Sequence, residues 1–233
     1  MLGRFLELSL LAPDTGAAWQ RWQALGFVAA EPGDVWPHPY GVVYCDGLAI
    51  GLHAGGDEPL CLTFVRPEVA ALAEELSTRL IGMERTQLGG HQFNVVELRE
   101  PGGALLRVQE ARTFSAPAEP PRQTALGRFR HLSLPCADLA EARGFWERLD
   151  MELDDTNDPW EGLSVTGLPI ACHEQSVLGG ALLVFESAHV MDGSVLRDAG
   201  LAVARPVAAL GARPHRVLRD VSGLTVLVLD AAG

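Results

Sequence analysis

LGRFLELSL at residues 2–10 and LGRFRHLSL at residues 126–134 agree at seven of nine positions, and Glu7 of the first becomes His131 of the second. The echo opens a long internal repeat. Asp14 and Asp138 keep the same spacing of 124 (131 − 7), as do Trp22 and Trp146, Leu25 and Leu149, and Trp36 and Trp160. The spacing then drops to 120 (173 − 53), pairing Gly47 with Gly167, Ile50 with Ile170 and His53 with His173. A four-residue insertion in the first copy, around His38-Pro39-Tyr40-Gly41, accounts for the change.

Each copy halves again. LELSLLAPD runs into AAWQRWQALGF, and later LCLTFVRPE runs into VAALAEELSTRLIGM. Both read as a strand, a turn with proline and an acid, then a helix. In the later segment Val69, Leu72, Ala73, Leu76 and Leu80 share one helical face, and Gly82 supplies a stop. Asp14 and Asp138 stand where a side-chain oxygen caps a helix start. Strand-like runs follow: YGVVYCDG with LAIGLHA, then FNVVELREPGG with ALLRVQE, where REPGGALL reads as a hairpin turn. LRDVSGLTVLVLD matches this pattern in the second copy. The repeating unit is therefore one strand, one helix and about three strands, written four times. SAPAEPPRQTA at 115–125 reads as a stiff, extended linker. The predicted organisation is a domain over 1–112, a Pro-rich linker over 113–125 and a second domain over 126–233.

Composition narrows the function. With 30 acids against 18 bases, the net charge of −12 repels phosphate backbones, so no nucleic-acid partner is expected. No apolar run is long enough to span a bilayer, so no membrane partner is expected either. An acid interrupts the apolar start MLGRFLELSL, which speaks against a secretory signal. Cys45, Cys61, Cys136 and Cys172 are scattered without C-x-x-C, as free thiols in a reducing, cytoplasmic setting would be.

A βαβββ unit used in pairs, with the run LSLLAPD…WQALGF and the turn-then-strand EPGGALLRV, resembles the vicinal oxygen chelate superfamily. That group includes glyoxalase I, bleomycin- and fosfomycin-resistance proteins and extradiol dioxygenases. The resemblance covers the chain apart from the linker. It implies an α+β fold in which four βαβββ units pair into two cupped mixed β-sheet domains, with helices on the outer faces. The ligand lies in the concave face, and a homodimer is the association such a family suggests. Strand alternation would then place Leu6, Leu8 and Leu10 under a helix, with Phe5, Glu7 and Ser9 facing the first cup. Phe129, His131 and Ser133 would face the second.

Metal-dependent members draw a ligand from the first strand of a unit and a Glu from the last. In the first domain those places hold Glu7, Gly51, Cys61 and Arg107; in the second, His131, Ala171, Leu182 and Leu227, with Glu186 as a displaced candidate. Neither set keeps three ligands, and Arg107 would repel a divalent ion. The expectation is therefore no metal and no cofactor. An ion pair between Glu7 and Arg107 would stabilise both across the floor of the first cup, while His131 would lie on an apolar floor.

Glu7 is the candidate catalytic base. Ser9, Trp36, His38, Tyr40, His53, Thr63, Arg107, Gln109, His131, Trp160 and His173 are the candidate ligand-binding residues. For three pairs a plain structural role stands beside the functional one: a relic salt bridge for Glu7 and Arg107, strand ends at the rim for His53 and His173, and sealed sheet edges for Trp36 and Trp160. The leading function is a metal-independent small-molecule-binding protein that sequesters an anionic or oxygen-rich metabolite or acts on it by acid–base chemistry. The alternative is a metal-dependent lyase, isomerase or dioxygenase with shifted ligands, such as Glu7 with His53 or His131 with His173. A third has the second domain serving only as a packing partner.

Overall fold

The structure, a computed structural model, describes residues 1–32, 37–91, 93–110, 114–115, 121–188, 196, 199–220 and 224–231. The first unit is β1 (Arg4–Leu11), α1 (Thr15–Ala24), β2 (Val28–Pro32), β3 (Tyr40–Cys45) and β4 (Leu48–His53). The second is β5 (Leu60–Arg66), α2 (Val69–Thr78), β6 (Arg85–Gln87), β7 (Val95–Arg99) and β8 (Leu105–Glu110), followed by the short β9 (Phe114–Ser115). The third is β10 (Arg128–Cys136), α3 (Leu139–Arg148), β11 (Leu153–Thr156), β12 (Gly162–Val165) and β13 (Ile170–Glu174). The fourth supplies β14 (Leu182–Ser187), β15 (Ala202–Val203), β16 (His215–Arg219) and β17 (Thr225–Asp230). Most of its expected helix lies outside the described residues.

Two units make each sheet. The first runs β6-β7-β8-β5-β1-β4-β3-β2-β9 and the second β11-β12-β13-β10-β14-β17-β16-β15. In both, the opening strands of the two units meet antiparallel at the centre, β1 with β5 and β10 with β14. Each opening strand is parallel to the closing strand of its own unit. The architecture is the α+β, two-sheet arrangement that the resemblance implied. Glu31 and Pro32 pair with Ser115 and Phe114, so the beginning of the expected linker extends the first sheet.

The helices form where apolar side chains recur at helical spacing. Val69, Leu72, Ala73 and Leu76 of α2 are buried, as are Ala142, Phe145 and Trp146 of α3. Asp14 and Asp138 cap α1 and α3, each Oδ1 accepting a backbone N–H, from Ala17 at 2.9 Å and from Ala140 at 2.7 Å. The helix-covered faces of both sheets contribute to one core, with Leu8, Trp22, Leu62 and Leu72 from the first domain and Leu132, Trp146 and Phe185 from the second. Burial of each such side chain contributes roughly 1.5–3 kcal/mol. Among the described residues, no helix is long and apolar enough to cross a membrane.

One expectation about sheet faces fails. Phe5 lies opposite Phe64, and their rings meet edge-on at 5.5 Å in the helix-side core. Phe129 likewise lies opposite Phe185, their rings tilted with centroids 5.4 Å apart. A register irregularity between Phe5 and Glu7, repeated between Phe129 and His131, inserts Leu6 and Arg130 as extra residues. Such a bulge reverses the alternation on one side of it. Phe5 and Phe129 therefore point away from the cups, and Leu6, though buried, is not part of the helix-side core. Glu7 and Ser9 keep the concave side.

Candidate functional site

The concave face of the first sheet carries a hydrogen-bonded polar cluster around Glu7, which is 1% exposed. Its Oε1 accepts from the Ser9 hydroxyl at 2.7 Å and meets His53 Nε2 at 2.9 Å. Its Oε2 accepts from the Tyr40 hydroxyl at 2.5 Å. Ser9 Oγ also lies 2.8 Å from Thr63 Oγ1. His53 Nδ1 in turn lies 3.1 Å from Nε2 of His38. Four strands set this geometry. Glu7 and Ser9 alternate on β1, Thr63 is the register partner of Glu7 on β5, and Tyr40 opposes His53 across β3 and β4.

Gly51 makes room for the carboxylate. A Cβ at that position would sit 2.2 Å from Glu7 Oε1 and 2.3 Å from Oε2. The position at which the resemblance implies a last-strand metal ligand thus holds the Glu7 carboxylate itself.

The expected Glu7–Arg107 ion pair is not formed. Arg107 Nε donates to Glu97 Oε1 at 2.7 Å, and the two residues are register partners on β8 and β7. The hairpin puts Glu97 nearer than any residue of β1, so the guanidinium is balanced before it reaches Glu7. The Arg107 side chain is 24% exposed and borders a cavity of about 500 Å³. Ser9, His38, His53, Cys61, Glu97 and Gln109 share that lining, with Phe93, Val95, Leu10 and Leu11 as its apolar walls. Glu7, Tyr40 and Thr63 stand behind it. The Gln109 amide nitrogen is buried with no hydrogen-bond partner among the described residues. Burial pushes the Cys61 thiol up to about 11, so it stays protonated at neutral pH. Desolvation, then His53 and Arg107 nearby, lowers the His38 pKa below 6.5, so its imidazole is neutral at physiological pH.

The second sheet uses the same positions differently. Leu182, Val184, Val217, Leu227 and Leu229 from the strands pack with Trp160, Val207 and Leu210 from the connections, filling its concave side. His173 is fully buried; its Nε2 meets the Leu178 carbonyl at 2.9 Å and its Nδ1 meets Ser133 Oγ at 2.7 Å. A carbonyl only accepts, so Nε2 bears the proton and Nδ1 accepts from Ser133. The Trp160 ring packs against His173 at 5.5 Å within this core. Arg130, the bulged residue, pairs with Asp158 at 2.8 Å. Trp36 lies outside the described residues.

His131 beside this filled cup carries a testable signature. Desolvation first, then Arg130, lowers its pKa to about 4. A folded-state pKa below the unfolded one means that the unfolded chain binds more protons, so stability is full above about pH 6.5 and is lost as pH falls toward 4. The full shift corresponds to roughly 3 kcal/mol, less for a ring that water partly reaches. Urea titrations from pH 7.5 to 4.5 should show His131→Leu gaining on the native chain as pH falls; parallel profiles would count against it.

Residues that sequence reasoning left out are Glu97, which balances Arg107, and Gln87, Phe93 and Val95 of the cavity wall. Glu97 had a signal: with the turn at Pro101-Gly102-Gly103, counting outward pairs it with Arg107.

No protein-family model matches the chain, and no curated protein matches it. Solved structures do. A catechol 2,3-dioxygenase superposes with a TM-score of 0.58 at 16% identity, over 98% of this chain and 92% of its own. The homoprotocatechuate 2,3-dioxygenase of Arthrobacter globiformis superposes with a TM-score of 0.60 at 13% identity, over 98% of this chain and 79% of its own. An Mn(II)-bound glyoxalase from Novosphingobium aromaticivorans gives 0.54 at 13% identity, over 97% and 81%. Their coverage spans both sheets, and the chain has the fold of the vicinal oxygen chelate superfamily.

Proposed function

We propose that the first cup is an acid–base site that binds a small, oxygen-bearing molecule and transfers a proton at His38 without a metal ion, while the second cup is a packed scaffold. The observation that carries this reading is the unbroken chain from His38 through His53 to Glu7. A carboxylate at Glu7 accepts the proton of His53 Nε2, which leaves His53 Nδ1 to accept from His38 Nε2. His38 Nδ1 then holds the lone pair. When it takes a proton, positive charge is stabilised along the chain by Glu7, as a carboxylate stabilises an imidazolium behind a general base. Glu7 is thus a positioning residue, not the base, since it stands behind the cavity wall.

The donor chemistry supports the absence of a metal from the mechanism. Both oxygens of Glu7 are engaged, by three donors in all, Gly51 offers no side chain, and Arg107 puts a cation where a relative places a ligand. Among the described residues no three His, Cys, Asp or Glu are grouped to hold an ion.

In D2O with EDTA, proton NMR of small carbonyl compounds incubated with the protein is expected to show deuterium uptake that rises with pH toward neutrality. His38→Gln should slow it about a hundredfold. Uptake abolished by EDTA, or unchanged by His38→Gln, would overturn the proposal.

A second reading draws on the structural neighbours, which are dioxygenases and an Mn(II)-bound glyoxalase. It makes this chain a metal-dependent enzyme with shifted ligands, Glu7 with His53 and His38. Those rings would have to turn from each other onto the ion.

A further inference from the structure

The polar groups on the floor of the first cup are closed on one another, with one exception. Glu7, Ser9, Thr63 and His53 all have partners inside the protein. Gln109 is 2% exposed and borders the cavity, yet its Nε2 is buried with no partner among the described residues. A buried N–H without an acceptor is costly, and folded proteins hold few of them. The surroundings offer no remedy. Its register partners are Val95 on β7 and Val65 on β5, whose side chains cannot accept. The carboxylate on the same face, Glu97, is engaged by Arg107. A leucine or methionine would fill the same space with no orphaned donor, whereas a small turn of the amide toward the cavity it borders brings Nε2 an acceptor from there.

The charges around the cavity indicate what kind of acceptor. Arg107 is balanced by Glu97, and the other cation of the lining, Arg85, shares it with Asp57 and Glu58. Glu58 is shared with Arg99. Among the described residues the lining thus has no surplus of positive charge with which to select an anion. Phe93, Val95, Leu10 and Leu11 provide an apolar enclosure for the body of a ligand.

We propose that Gln109 is the specificity-determining donor of the first cup, hydrogen-bonding through Nε2 to the carbonyl oxygen of a neutral ligand. The proposal rests on the first cup being a ligand site, but not on proton transfer at His38. It narrows the anionic or oxygen-rich metabolite expected from the sequence to a neutral, oxygen-bearing one.

Side-chain amide NMR of the full chain tests this, with the Gln109 signal assigned by its loss in Gln109→Met. Acetophenone and cyclohexanone are the neutral carbonyl probes, and benzoate is the charged counterpart. The Gln109 signal should move with the ketones, their affinity should fall about tenfold in Gln109→Met, and benzoate should bind more weakly. Removing an orphaned donor should also leave Tm unchanged or raise it, by about 2–4 °C for each kcal/mol regained. An unmoved Gln109 signal, tighter binding of benzoate, or a lower Tm for Gln109→Met would overturn the proposal. Ketone binding that survives His38→Gln while deuterium uptake is lost separates this inference from the catalytic one.

Discussion

Gly51→Ala is expected to destabilise the protein by about 3–5 kcal/mol, although it adds a single methyl group. The position lies inside β4, and the objection to alanine there is space rather than backbone conformation. The new Cβ would fall 2.2 Å from Glu7 Oε1, 2.3 Å from Cδ and 2.3 Å from Oε2, far inside contact distance. The carboxylate cannot retreat, because Tyr40, His53 and Ser9 hold it and it is 1% exposed. Overpacking alone costs about 1–3 kcal/mol, and displaced hydrogen bonds to a charged group add to it. Urea denaturation of the single and double variants checks the cause. In a Glu7→Ala background the same alanine at 51 should cost under about 1 kcal/mol, since the obstruction is gone. Equal costs in both backgrounds would show that Gly51 matters for another reason.

Glu7→Ala is the second large effect, expected at about 3–4 kcal/mol. It strips the acceptor from the Tyr40 hydroxyl and His53 Nε2, and leaves a hole in a floor that is otherwise closed. Glu7→Gln should cost less, about 1–2 kcal/mol, because the amide oxygen still accepts while its NH2 faces donors it cannot satisfy. By contrast Arg107→Met should leave the Glu7 cluster intact, since its bonded partner is Glu97. Nitrogen NMR of the histidines distinguishes the cases: the His53 signature should change with Glu7→Ala and stay with Arg107→Met. If Arg107→Met altered His53 as strongly as Glu7→Ala, the two residues would be coupled as the sequence first suggested.

The repeat made much of the fold legible. An in-register echo of strand, capping acid and helix is a global signal, and the caps at Asp14 and Asp138 formed where the pattern put them. The bulge at Leu6 and Arg130 left no such trace. One extra residue in a strand changes which face a side chain takes without changing composition, so Phe5 and Phe129 were assigned to the wrong side. Other contacts were countable but depended on register. Asp46 and Gly47 turn with positive φ values of 39° and 82°, and stepping outward from Cys45 and Leu48 sets Tyr40 opposite His53. Tyr40, a candidate ligand contact from the inserted stretch, is placed by its strand pairing as a donor to Glu7. The filled second cup depended on Val207 and Leu210, from a segment with little pattern of its own.

In the proposed metal-free site, side-chain hydrogen bonds hold Glu7 in place of a divalent ion. Elemental analysis of the native chain, purified without chelator and compared with Glu7→Gln and His53→Ala, tests it most directly. The expected result is far less than one equivalent of manganese, iron, nickel or zinc per chain, the same in all three. One retained equivalent in the native chain, lost in both variants, would contradict it.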